Sequence, residues 1–213
     1  MNDKIRIILV DDHLLVRTGF NLLLNLDNKI EVIGEASRGE EAIKLYQELK
    51  PDIIVMDINM PGIGGMEAIK RLVHKFDEVK ILVLSAHDKP EFAIRALNSG
   101  AYGYLTKRTA PEELISAIKT ISKGSKYIES KIAEQIMLNK KVDVDNSLND
   151  LTPREFEVFI AYAKGKSVIE IAKTLSLSTL TIGTHITNTK QKLGVSNQAG
   201  LARIAFKAGL IDI

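Results

Sequence analysis

Asp11 and Asp12 follow one apolar run, Asp57 follows a second, Ser85 closes a third and Lys107 follows a fourth segment. Strand-like stretches that each end in a polar group can bring those groups to one edge of a parallel sheet. Three carboxylates crowded there repel one another unless a cation sits among them. Adjacent carboxylates are also the hard oxygen ligands that Mg²⁺ prefers. A carboxylate at Asp57 can attack a phosphoryl group and form an aspartyl phosphate. Lys107 would then supply a point charge to a phosphoryl oxygen, and Ser85 a hydroxyl donor. Taken singly, each residue has a plainer reading: a helix cap, a turn residue, a surface lysine, a strand-end hydroxyl. Taken in this order at successive strand ends, they read as one site.

The elements that must position these residues are visible as patterns. Ile7-Ile8-Leu9-Val10, Ile53-Ile54-Val55-Met56 and Ile81-Leu82-Val83-Leu84 are short continuous apolar runs, as expected of strands buried on both faces. Residues 30–36 and 103–105 read as two more strands. Helical patterns lie between them, over about 14–26, 39–49, 65–76, 90–99 and 111–122. Five alternations of strand and helix predict an α/β fold, a doubly wound five-stranded parallel sheet with helices on both faces. In such sheets ligands bind outside the carboxyl ends of the strands, where all the singled-out residues fall.

The alternation stops near residue 124. A helix is expected over 128–140, within a linker spanning 125–150 whose last part, Lys140 to Asp150, is polar and aperiodic. Leu151-Thr152-Pro153-Arg154-Glu155 opens a new unit, with Thr152 as N-cap, Pro153 at the first helical position and Glu155 completing a capping box. Everything after it is helical, over about 153–163, 167–174, 178–193 and 196–207. Ile169, Ala172 and Leu175 are expected to form the apolar face of the second of these helices. Ile182, Ile186, Thr189 and Leu193 form an inward stripe on the third. Two short helices joined at Ser176-Leu177-Ser178 and flanked by two more make a small all-α four-helix unit of helix-turn-helix type. The domains are therefore expected at 1–124 and 151–213.

Composition sets outer bounds. Cysteine is absent, which excludes disulfides, zinc-thiolate sites and a thiol nucleophile. No apolar stretch reaches the ~20 residues that a membrane span needs. The N-terminal segment lacks the apolar run of a signal peptide, so a soluble, cytoplasmic protein without membrane contact is expected. The net charge is only +2 but is unevenly placed: residues 151–213 carry 8 Lys and Arg against 4 Asp and Glu. A mildly basic C-terminal unit is compatible with a polyanion partner.

Several stretches carry a resemblance to a known family. Val10-Asp11-Asp12-His13, Met56-Asp57-Ile58-Asn59-Met60-Pro61-Gly62 and Gly100-Ala101-Tyr102-Gly103-Tyr104-Leu105-Thr106-Lys107 resemble the receiver domain of two-component response regulators. Residues 151–207, opening on Leu151-Thr152-Pro153-Arg154-Glu155, resemble the LuxR-type helix-turn-helix. The combination is similar to the NarL/FixJ family. The resemblance implies that Asp57 is the phosphoacceptor, not a turnover enzyme's nucleophile. It implies Mg²⁺ bound by Asp12 directly, Asp11 through water, Asp57, and Asn59 through its backbone carbonyl. Ser85 and Tyr104 would be the coupled hydroxyl and aromatic switch. The implied partners are a sensor histidine kinase, promoter DNA and a second copy of the chain after phosphorylation, with RNA polymerase as a further candidate. One departure is Arg108, where many receivers have proline.

On the third helix of the C-terminal unit, Thr179, Leu180, Gly183, Thr184, Thr187, Asn188, Lys190 and Gln191 are the candidate DNA-contacting residues. Thr, Asn and Gln can touch base edges or phosphates, and Leu180 can meet a thymine methyl. Gly183 in mid-helix costs about 1 kcal/mol against alanine and suits close approach of a DNA backbone. The few lysines predict few phosphate contacts and modest affinity per monomer. His13 is expected in a first helical turn, outside the acidic cluster, and His185 as a packing residue.

Two other functions compete with that of a phosphorylation-controlled transcription factor. A phosphatase with an aspartyl nucleophile needs a second acid two residues on, and that position is Asn59. A signalling adaptor whose helical domain binds protein instead of DNA would suit the weakly basic face. Salt-dependent binding of a specific duplex separates it from a transcription factor.

Overall fold

The computed structural model of the chain describes residues 4–109, 111–139, 148 and 150–211. It divides into two compact units, Met1–Met137 and Leu138–Ile213. The first contains β1 (Ile5–Val10), α1 (Leu14–Asn25), β2 (Ile30–Ala36), α2 (Gly39–Leu49), β3 (Ile53–Met56) and α3 (Gly65–Lys75). It continues through β4 (Ile81–Ser85), α4 (Pro90–Asn98), β5 (Gly103–Thr106), α5 (Pro111–Ser122), β6 (Tyr127–Ile128) and most of α6 (Ser130–Asn139).

All strand pairs are parallel, in the order β2-β1-β3-β4-β5-β6. Every residue of β3, β4 and β5 is buried, which explains their unbroken apolar character. Leu9, Val55, Leu82 and Leu105 pack with Leu114, Ile118 and Ile121 of α5 in one cluster. The chain changes winding direction between β1 and β3, so a crevice opens beyond their carboxyl ends. Asp11 and Asp57 follow those two strands.

The sheet has six strands where the sequence predicts five. β6 is only two residues long, too short to carry a pattern, and pairs Tyr127 with Gly103 and Ile128 with Tyr104. The helix expected from 128 starts at Ser130, because Ile128 still belongs to the sheet. Ile132 of α6 is fully buried, so this stretch is packed and not a free tether. The polar stretch predicted as linker over 140–150 lies outside the described residues except at Leu148 and Asp150.

The second unit consists of α7 (Pro153–Ala163), α8 (Val168–Leu175), α9 (Thr179–Lys192) and α10 (Gln198–Lys207). The capping box at Thr152 is formed: Glu155 N–H donates to Thr152 Oγ1, and Thr152 N–H donates to Glu155 Oε2 at 2.8 Å. Such a cap contributes about 1 kcal/mol. A second box joins Ser167 and Glu170 at the start of α8. Ser178 caps α9 by accepting from Thr181 N–H, and Ser176 turns the chain in the left-handed region at φ 52°.

The core of this unit joins Val158, Ile171, Ala172, Ile182 and Ile186. The inward stripe of α9, Thr189 and Leu193 included, is buried as its spacing requires. The expected face of α8 is wrong at one position: Ile169 is 72% exposed. Val168, Ile171, Ala172 and Leu175 follow the helical repeat and point inward, so Ile169 falls on the other side.

Candidate functional site

The crevice beyond β1 and β3 gathers the acidic residues. Asp57 N–H donates to Val10 O at 2.8 Å, and Asp11 N–H to Ala36 O at 3.1 Å, so ladder bonds fix both backbones. Asp57 is 3% exposed and Asp11 6%. Ligand atoms from Asp11, Asp12, His13 and Asp57 lie within 4.8 Å of one another. His13 therefore belongs to the cluster, contrary to expectation. As N-cap of α1 it turns back, with Nδ1 2.8 Å from Asp12 Oδ1. Lys107 reaches in from the end of β5, its Nζ 2.6 Å from Asp57 Oδ2 and 2.5 Å from Asp11 Oδ2.

Burial pushes the Asp57 carboxyl up to about 6, and the Lys107 ammonium beside it pulls in the opposite direction. Burial also works against the charge on Lys107, but the carboxylates of Asp57 and Asp11 outweigh it and raise its pKa. At neutral pH the carboxyl is thus ionised and paired with a cation. A divalent ion fits the donor set: the carboxylates of Asp11, Asp12 and Asp57 converge, hard oxygen donors of the kind such an ion prefers.

Ser85 is fully buried at the end of β4. Its Oγ accepts from His87 N–H at 3.1 Å, and its carbonyl accepts from Lys107 N–H at 2.7 Å. Tyr104 is also fully buried, and its hydroxyl donates to His87 O at 2.8 Å. Burial raises its pKa, so the phenol stays protonated. Asn59 donates its backbone N–H to Asp57 Oδ1 at 3.1 Å. The Asn59 amide lies 2.7 Å from His87 Nε2, and the His87 ring stacks on Phe92 at 3.9 Å. The predicted residues Asp57, Lys107, Ser85, Tyr104, Asp11, Asp12 and Asn59 thus form one connected neighbourhood.

Sequence reasoning missed three supports. Arg17 on α1 donates to Asp11 O at 2.6 Å and to Glu35 at 3.0 Å. Glu40 on α2 accepts from Ile63 N–H at 3.1 Å and so braces the loop after Asp57. Gly65 starts α3 against that loop: a Cβ there would stand 2.1 Å from Asp57 O. Arg17 and Glu40 are ordinary surface residues in sequence. Only the Gly64-Gly65 pair carried a signal of close backbone approach.

In the second unit, Thr179, Leu180, Gly183, Thr184, Thr187 and Asn188 line one open concavity along α9. The Thr184 and Thr187 hydroxyls donate to Leu180 O and Gly183 O, one turn back, and keep their lone pairs for outside donors. Lys190 stands apart from this face, its Nζ 5.8 Å from the Tyr162 ring centroid. Lys192 is held at 2.7 Å by Glu155. Gln191 is exposed beyond the concavity. His185 is half-buried, and burial lowers its pKa, as suits a packing residue. A Cβ on Gly183 would meet nothing within 4 Å, so packing inside the unit does not demand glycine.

The fold and its acidic crevice define a receiver-type domain joined to a helix-turn-helix unit, and comparison with known proteins agrees. Residues 7–119 match the model of the response regulator receiver domain, and residues 149–205 that of the bacterial regulatory proteins of the luxR family. The chain is 35% identical over 210 residues to the response regulator GacA of Pseudomonas aeruginosa, covering 98% of each protein. It is 36% identical to the oxygen regulatory protein NreC of Staphylococcus carnosus, covering 97% of this chain and 99% of the relative. The RcsB response regulator of Salmonella typhimurium superposes with a TM-score of 0.69 at 26% identity, over 98% of both chains. The chain belongs to the two-component response regulators of the NarL/FixJ family, with a receiver domain and a LuxR-type DNA-binding domain. Among the described residues no helix is long and apolar enough to cross a membrane.

Proposed function

We propose that this regulator is switched by phosphorylation of Asp57 and that the switch controls binding of α9 to promoter DNA. The observation that carries the reading is the Asp57 carboxylate, buried beside Asp11 and held at 2.6 Å by Lys107. Asp57 attacks the phosphorus of a phosphohistidine on the sensor kinase. The phosphorus–nitrogen bond breaks and the imidazole leaves. The carboxylates of Asp11, Asp12 and Asp57 and the carbonyl of Asn59 would hold Mg²⁺, which neutralises charge on the phosphoryl oxygens when bound. Lys107 keeps the nucleophile oriented and afterwards pairs with a phosphoryl oxygen. The chemistry is self-modification, so the chain turns over no separate substrate.

The new charge offers the Ser85 hydroxyl proton a charged acceptor. As Ser85 is linked to Tyr104 through His87, the phosphoryl group biases both residues together. The face formed by Thr179, Leu180, Gly183, Thr184, Thr187 and Asn188 enters a major groove, while Lys190 and Gln191 lie toward the phosphates. A dimer formed through α10, where Phe206 is 49% exposed, would engage two half-sites and offset the scarcity of phosphate contacts. The regulator works in the cytoplasm. RcsB is known in complex with DNA, in a structure 28% identical to this chain with a TM-score of 0.62.

The test is a duplex selected by the phosphorylated full chain from a random pool. Its affinity is then measured with and without a phosphoryl donor over a range of salt. Binding should tighten with phosphorylation and weaken steeply with salt. Failure to enrich any duplex, with phosphoryl content intact, would favour the protein-binding adaptor.

A further inference from the structure

β5 has two working edges. On one, Thr106 pairs with Ser85 of β4, and Lys107 follows at once to reach Asp57. On the other lies β6, which leads into α6. Two residues of pairing are little to hold an edge strand. Gly103 allows the approach, because a Cβ there would stand 2.6 Å from Tyr127 O. Beyond the pair, Glu129 N–H donates to Tyr104 O at 3.0 Å. The Glu129 carboxylate then turns back onto the loop after β5. Its Oε2 accepts from Thr106 N–H at 2.7 Å and from the Thr109 hydroxyl at 2.8 Å. The Thr106 N–H lies past the last residue of β6 and has no strand left to pair with. The loop between these two donors carries Lys107.

We infer that Glu129 is a positioning residue that fixes the Lys107 loop and couples the state of the Asp57 site to β6 and α6. The inference rests on the proposed phosphorylation of Asp57. One residue bonds Tyr104, Thr106 and Thr109 together: Tyr104 is itself a switch position, and Thr106 and Thr109 flank Lys107. A phosphoryl group on Asp57 draws the Lys107 ammonium off the Asp11 carboxylate. The Thr106–Thr109 loop follows, the two bonds to the Glu129 carboxylate weaken, and β6 with the first turns of α6 loosens. Glu129 touches neither the phosphoryl group nor the metal ligands.

The experiment is amide hydrogen exchange on the full chain, with and without Mg²⁺ and beryllofluoride, which mimics an aspartyl phosphate. In the wild type, exchange slows at 85–88 and rises by about tenfold at 127–135, roughly what loss of one charge-assisted hydrogen bond allows. In Glu129→Ala the response at 85–88 remains, whereas the added ligand no longer changes 127–135. Thr109→Val removes one of the two donors and retains a reduced response at 127–135, so it decides the matter should Glu129→Ala fold poorly. Glu129→Gln, which keeps an acceptor oxygen, restores part of the response. The inference is overturned if 127–135 responds equally in the wild type and both truncating variants, or if it is silent in the wild type while 85–88 responds. Silence at both segments in the wild type would instead sink the phosphoacceptor reading, and this inference with it.

Discussion

The Lys107 ammonium bridges Asp57 and Asp11, at 2.6 and 2.5 Å, across a crevice that both carboxylates face. It offsets charges that would otherwise be buried together. Lys107→Ala should therefore lower stability in chelator by about 3 kcal/mol, the scale of a buried ion pair stripped of one partner. Added Mg²⁺ should recover part of that loss. With Mg²⁺ and a phosphoryl donor, phosphorylation should persist within a few-fold while the gain in DNA affinity disappears. Parallel loss of both would show that Lys107 acts in the chemistry and not in its readout.

Asp57→Asn should stabilise the metal-free protein at neutral pH. The Asp57 pKa is raised from 3.8 to about 6, mainly by burial. The stability associated with its neutral form is fully present below pH 3.8 and is lost as pH rises through 6. Asparagine keeps the neutral form at every pH. The stability difference between variant and wild type should thus be negligible near pH 3 and reach up to roughly 3 kcal/mol above pH 6.5. Melting in chelator across this range checks the sign, and a difference that shrinks with rising pH would contradict it.

Gly65→Ala should damage the site without touching a charged residue. Its Cβ would stand 2.1 Å from Asp57 O and 2.6 Å from Ile58 Cα, both backbone atoms that cannot move aside cheaply. We expect a loss of about 2–3 kcal/mol, at the upper end for overpacking, and slower phosphorylation of the fraction that folds. Wild-type phosphorylation kinetics in this variant would show that the start of α3 does not set the position of Asp57.

Gly183→Ala separates stability from function in the second unit. A Cβ there meets nothing within 4 Å, so the helix should gain about 1 kcal/mol. If the glycine admits the DNA backbone, the same change weakens binding of the selected duplex by about tenfold or more, a clash-sized effect of roughly 1–2 kcal/mol. Equal or tighter binding would move the contact surface away from Gly183.

Much of this was legible in the sequence, for physical reasons. Strands buried on both faces must be unbroken apolar runs, and the groups that follow them must gather at one edge. That is why Asp11, Asp57, Ser85 and Lys107 could be placed before any coordinates. Capping chemistry is equally local, and Thr152 and Ser178 cap α7 and α9 as their neighbours require. What could not be read depends on partners distant in the chain. β6 has two residues and no pattern of its own. Glu129 and Arg17 are ordinary charged residues until folding puts Thr106 and Asp11 beside them. Ile169 misled because a short helix offers few turns from which to fix the phase of its apolar face.

The most direct test of the central claim is the intact mass of the full chain after incubation with a small phosphoryl donor, with Mg²⁺ or with chelator, beside Asp57→Asn. The account predicts one phosphoryl group per chain, dependent on the divalent cation and absent from the variant. Undiminished labelling of Asp57→Asn, or labelling indifferent to chelator, would contradict it.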